Sequence, residues 1–163
     1  MIKTIKLINC QSWRDGSFSL ESDKLNVIIA KNNTGKSVLI KMLKVSTSPK
    51  FFSAKKRKKL IRWGAQDARI CYTFTDGSVA VVIVQPTKVI YCFKEADDEK
   101  FQASYDPPKQ LIDELGMMVN SSGSFIANII DTDQSLMLVD SESKATFEFI
   151  QMLCSNASLD EYR

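Results

Sequence analysis

The sequence predicts an α/β domain in which a strand–loop–helix unit is joined to an antiparallel β subdomain, and three observations predict it. The run "KLNVIIAKNNTGKSVLIKML" (24–43) passes from continuous apolar residues, through a polar loop, into helical spacing. The run "ARICYTFTDGSVAVVIVQPTKVIYCF" (68–93) is strand-like and turns on an Asp-Gly pair. A length of 163 residues with 44% hydrophobic content is one domain, large enough to bury a core.

"IKTIKLINC" (2–10) alternates with period two, the mark of a half-buried strand. A turn is expected around Asp15-Gly16, after which "SFSL" (17–20) returns as the antiparallel partner. "KLNVIIA" (24–30) is apolar without alternation and suits a strand buried on both faces. In "GKSVLIKMLKV" (35–45), Leu39, Ile40 and Leu43 recur at helical spacing. Residues 46–62, "STSPKFFSAKKRKKLIR", are polar and basic, a loop with a short helix. From Asp67 the chain turns to β structure, with Asp76-Gly77 as a hairpin signal and Pro86 ending one strand before "KVIYCF" begins the next. "EADDEKFQASY" (95–105) reads as an exposed connector. "DPPKQLIDELGM" (106–117) outlines a helix capped by Asp106, with Pro107 at its first position and Gly116 as its stop. Beyond it come a loop "NSSGS", a short apolar strand "FIANII" and a polar turn "DTDQS". The last stretch, 141–163, is expected to be a helix with Ala145, Phe149, Met152 and Leu153 on one side.

Composition removes several classes of chemistry. There is no histidine, so Ser-His-Asp triads, histidine bases and histidine-ligated metals are excluded. The four cysteines (Cys10, Cys71, Cys92, Cys154) are scattered with no CxxC pair, so buried free thiols are expected and zinc is not. No apolar run approaches the roughly 18 residues needed to span a bilayer, and the charged start is unlike a signal peptide, so no membrane partner and a cytoplasmic location are expected. A net charge of +3 leaves nucleic-acid binding to a local patch.

The polar loop fits GxxxxGK[ST] except at its first glycine, where Ala30 stands. That pattern works because successive backbone N–H groups form a concavity for phosphate oxygens, to which the following helix adds its positive end. The candidate cradle is Ala30, Lys31, Asn32, Asn33, Thr34, Gly35, Lys36, Ser37 and Val38. Lys36 would neutralise phosphate charge and Ser37 would offer its hydroxyl to Mg²⁺. If position 30 requires positive φ, alanine costs about 1–2 kcal/mol there. Asn33 is the non-glycine residue best suited to a left-handed conformation. The bland alternative is a turn that happens to contain Gly-Lys-Ser; the apolar run before it and the helix after it argue against that.

"NVIIAKNNTGKSVLIKML" resembles the Walker A region of the SMC/RecF/RecN-type ATPases, an ABC-like family whose common form is GxNGSGKS or GxNNSGKS. Asn32 and Asn33 match that form and Ala30 departs from it. "INCQSWRDGSFSL" resembles the family's opening hairpin, and "IRWGAQDARICYTFTDG" is similar to a Trp-Gly-containing stretch of bacterial and phage members. The resemblance implies that residues 1–163 are the first lobe of an ABC-type ATPase head, with ATP and Mg²⁺ as cofactors. It implies that Lys36 and Gln134 are catalytic, that Ser37 and Gln134 bind the metal, and that Arg14 reaches the nucleotide. The final helix would lead toward a coiled coil. Implied partners are the C-terminal lobe of the same head, a second head that dimerises on ATP, DNA and accessory subunits. DNA repair and anti-phage defence are both natural settings. The family reading expects little or no turnover from residues 1–163 alone.

Other features have plainer readings beside the functional ones. "LMLVD" (136–140) imitates Walker B, but Ser141 stands where glutamate is usual, and Asp140 is more simply a helix cap. Gln134 is also what a polar turn carrying Asp131 and Asp133 would contain. Lys55, Lys56, Arg57, Lys58 and Lys59 would suit DNA phosphates or be ordinary solvated surface, and the nearby Phe51, Phe52 and Trp63 would stack on bases or, the plainer reading, pack the lobe. Two rival readings stay open: a non-catalytic nucleotide-sensing or scaffold subunit, and a compact P-loop kinase or GTPase. The second lacks an arginine-rich lid and an NKxD motif.

Overall fold

The computed structural model describes residues 1–21 and 24–117, and within these the chain is a mixed α/β structure on one six-stranded sheet. In chain order the elements are β1 (Ile2–Cys10), β2 (Trp13–Ser19), α1 (Lys36–Thr47), a 3₁₀ turn (Pro49–Phe51), α2 (Ala54–Leu60), β3 (Ala68–Phe74), β4 (Val79–Val84), β5 (Val89–Lys94), β6 (Gln102–Ser104) and α3 (Lys109–Leu115). The strands run in the order β2-β1-β3-β4-β5-β6, every neighbouring pair antiparallel. The "FIANII" strand, Gln134, Asp140, Cys154 and the helix expected at 141–163 lie outside the described residues. Among the described residues no helix is long and apolar enough to cross a membrane.

Alternation builds the core face. Register places Leu7 opposite Ile70, Ile70 opposite Val82, and Val82 opposite Tyr91, so buried side chains form a row across four strands. Helix α1 lies on this face through Val38, Met42 and Val45, and Leu111 and Leu115 of α3 join the same core. Two buried hydroxyls tie α1 down: Tyr72 Oη lies 2.7 Å from Ser46 Oγ, and Tyr91 Oη donates to the Val45 carbonyl at 2.9 Å. Burial pushes both phenols well above their ordinary value, so they stay protonated donors. The Asp-Gly hairpin forms as expected: Gly77 has φ of +92°, and Asp76 Oδ1 accepts from the Ser78 amide and hydroxyl.

Several expectations are corrected. The first hairpin reverses at Gln11-Ser12, not at Asp15-Gly16; Asn9 (φ +54°) and Gln11 (φ +47°) take the left-handed conformations, and Gly16 sits inside β2. The segment 24–30 is no strand in this structure and pairs with none of the six; Leu25 is 90% and Ile29 89% exposed. A doubly buried strand needs a neighbour on each edge, and the six strands of the antiparallel sheet pair with one another and not with this run. The helix read from Leu39, Ile40 and Leu43 forms as α1; Val38, Met42 and Val45 are its buried apolar residues, and Leu39 and Leu43 are partly buried against the same core. The expected connector 95–105 contributes β6, paired to β5. Pro108, not Asp106, occupies the cap of α3, while Gly116 ends that helix at φ of +60° as expected. Phe52 packs the lobe as expected, whereas Trp63 is 99% exposed.

Cys10 is buried, and Cys71 and Cys92 are half-buried free thiols. Burial pushes the Cys10 thiol up to about 11, and its Sγ donates to the carbonyls of Ile8 and Arg69. Its folded value lies above the unfolded value of about 8.5, so the folded state favours the protonated form. That contribution is complete below about pH 8.5 and is lost as pH rises toward 11. Denaturant midpoints should therefore fall between pH 8.5 and 10, and Cys10→Ala should make that fall shallower; an equal slope in the variant would show that Cys10 is not the titrating group.

Candidate functional site

The loop from Ala30 to Gly35 feeds directly into α1, and two left-handed residues shape it. Asn33 has φ of +63° and Gly35 φ of +94°, bracketing Thr34. The Thr34 hydroxyl donates to the Lys31 carbonyl at 2.8 Å and closes the turn. Gly35 is the N-cap of α1; no side chain caps this end, and its first turn carries no acidic residue. An uncapped helix start leaves N–H donors and the positive end of the helix dipole without a protein counter-charge, which is the chemistry an anion needs. Ala30 is absent from the residues with positive φ, so the strain considered for alanine at this position does not arise.

Lys36 donates through Nζ to the carbonyls of Ala30 (2.5 Å) and Lys31 (2.9 Å), arching back over the loop. Ser37 is exposed beside it, as are Lys31, Asn32 and Asn33. Val38 is buried in the core, and its amide is held by the Gly35 carbonyl at 3.0 Å, which makes it a structural neighbour of the loop. Arg14 is exposed on β2, but the residues of this hairpin that bond the loop are Ser12 and Trp13. Ser12 Oγ donates to the Thr34 carbonyl and Trp13 Nε1 to the Gly35 carbonyl, each at 3.1 Å. Arg62 supports the turn from outside through the Ser12 carbonyl at 3.1 Å. A cavity of about 210 Å³ opens beside these contacts, lined by Trp13, Phe18, Ile28, Leu39, Ile40 and the start of α1. Ser12, Trp13 and Arg62 were not legible as site residues, because their partners are more than 20 positions away.

The basic run divides. Arg57 is half-buried and donates to the carbonyls of Phe52, Pro86 and Thr87, so it anchors α2 to the β4–β5 turn. Lys55, Lys56, Lys58 and Lys59 are exposed.

A family model described as AAA domain matches residues 4–160. The chain belongs to this family. No curated protein matches the sequence. Membership places the chain among nucleotide-binding ATPases, whose domains use ATP and Mg²⁺. The residues at the loop fit such a group: an uncapped helix start that opens on Lys36 and the exposed hydroxyl of Ser37, with no acidic side chain in the first turn of α1 to repel phosphate. Ser37 would supply one oxygen to a metal that takes its remaining ligands from phosphates and water.

Gly35 is constrained twice over, by its φ of +94° and by space: a Cβ there would sit 2.2 Å from Ser12 Oγ and 2.6 Å from Trp13 Nε1. Gly35→Ala should cost about 1–3 kcal/mol and lower the melting temperature by several degrees. Ala30→Gly, at a position without positive φ, should cost less than about 1 kcal/mol and leave ligand binding within about twofold. Equal melting temperatures for the two variants would contradict the tight packing at Gly35.

Proposed function

We propose that this chain is the ATP·Mg²⁺-binding N-terminal lobe of an SMC/RecF-like ATPase head, which dimerises on ATP to control DNA binding or processing. The observation that carries the proposal is the uncapped start of α1, with Lys36 and Ser37 as its first two residues and left-handed Asn33 and Gly35 shaping the loop before it. Lys36 would exchange the carbonyls of Ala30 and Lys31 for phosphate oxygens, a trade of neutral acceptors for charged ones. Ser37 would hold the metal against the same phosphates. The exposed apolar residues Leu25, Val27 and Ile29 support a further lobe as partner, since contiguous apolar surface of this kind ordinarily meets another surface. Hydrolysis itself would require groups from that lobe and from a second head, because phosphoryl transfer is positioned and stabilised from several directions.

Calorimetry with MgATP on the wild type and on Lys36→Ala tests the proposal. The variant should lose most of the affinity while keeping its melting temperature, and a folded variant that binds as well as wild type would sink the phosphate-loop assignment.

DNA contact rests on the four exposed lysines of α2, which together present a local positive surface on a chain of low net charge. Reversing Lys55, Lys56, Lys58 and Lys59 to glutamate should weaken binding to duplex DNA and flatten its dependence on salt, as read by fluorescence anisotropy across a salt series. An unaltered slope would return these lysines to solvated surface.

A further inference from the structure

We infer that Ser12 and Trp13 are positioning residues that hold the phosphate loop in its binding shape, an inference that rests on the phosphate-loop reading above. A trans peptide is planar, so its C=O and the N–H on the next residue point in opposite directions. Ser12 holds the Thr34 carbonyl toward the hairpin, which turns the Gly35 N–H away from it; Trp13 holds the Gly35 carbonyl and does the same to the Lys36 N–H. A loop that binds phosphate needs successive N–H groups directed together, and a single flipped peptide would present a carbonyl to the anion instead. Gly35, free of a Cβ and at φ of +94°, is the residue where such a flip costs least.

The hairpin is built to make this contact. Trp13 leaves only enough room for glycine on both of its sides: a Cβ on Gly16 would lie 2.4 Å from Trp13 Cε3, and one on Gly35 2.6 Å from Nε1. Phe18 braces the indole edge-on, with ring centroids 5.3 Å apart. Arg62 fixes the other side of the turn through the carbonyls of Gln11 and Ser12. Helix α1 already accounts for one lone pair of the Gly35 carbonyl through the Val38 amide, and Trp13 takes up the second. The clamp thus comes from the far end of the sheet order, β2, and couples that strand to the start of α1.

MgADP binding by the full chain, measured by calorimetry, tests the inference on Ser12→Ala and Trp13→Phe. Phe retains a ring against Phe18 and removes the N–H donor. Each variant should bind about three- to tenfold more weakly, the loss expected of one hydrogen bond, with a melting temperature close to wild type. Ser12→Thr, which keeps the hydroxyl, should restore binding. The chain has two tryptophans, so Trp63→Phe leaves Trp13 as the sole reporter, and its emission should change on adding MgADP with the calorimetric midpoint. Unchanged affinity in both variants, or a silent Trp13 should the variants fail to fold, would overturn the inference while leaving the phosphate-loop reading standing. Wild-type affinity in a folded Lys36→Ala would remove that reading and the inference with it.

Discussion

Two tyrosine hydroxyls, from β3 and β5, meet the last turns of α1 in the dry interior of the domain, and the position of the loop depends on them. Tyr72 bonds Ser46 and Tyr91 bonds the Val45 carbonyl, so the end of the helix is pinned at two neighbouring residues to strands on either side of β4. A net hydrogen bond contributes only about 0.5–1.5 kcal/mol, but an orphaned buried hydroxyl costs about 1–3 kcal/mol, so rotation of the helix away from these partners is penalised more than the bonds themselves reward it. Rotation fixed at one end fixes which residues face the sheet. Val38, Met42 and Val45 follow, and the first turn of α1 is left with no side-chain cap.

The loop at that edge is held by polar contacts rather than by burial. Lys36 bonds the carbonyls of Ala30 and Lys31, Thr34 bonds that of Lys31 as well, and the β1–β2 hairpin reaches two more. The carbonyls of Ala30, Lys31, Thr34 and Gly35 are thus all bonded within the protein. The arrangement also explains why alanine is admissible at position 30. Left-handed geometry is concentrated at Asn33 and Gly35, and Ala30 contributes a carbonyl to Lys36 without needing glycine's freedom.

Charge is distributed to match. The only cation bonded to the loop among the contacts described is Lys36, while the lysines of α2 are exposed and Arg57 is committed to three backbone carbonyls. A run that reads as one basic stripe is therefore a structural anchor flanked by four exposed lysines. Helix geometry makes the difference, since part of a short helix must face inward, and the guanidinium of Arg57 offers donors enough for three carbonyls there.

What the sequence determined by itself is local. The Asp76-Gly77 turn, the left-handed Asn33 and Gly35, the stop at Gly116 and the alternation of β3 to β5 depend on φ preferences and period-two burial, and each forms where the residues place it. The candidate site was legible to the same extent: Gly35, Lys36 and Ser37 stand out because their spacing is the chemistry. Tertiary structure decided the rest. Gly16 reads as a turn residue and is instead the space for an indole; Trp13 reads as a strand residue and instead bonds a carbonyl 22 positions later. The apolar run 24–30 has the composition of a buried strand, but a strand exists only through its neighbours, and the six-stranded sheet pairs without it. Backbone preference is a property of a residue and its nearest neighbours, whereas pairing, packing and clamping belong to residues far apart in the chain, and only the fold brings those together.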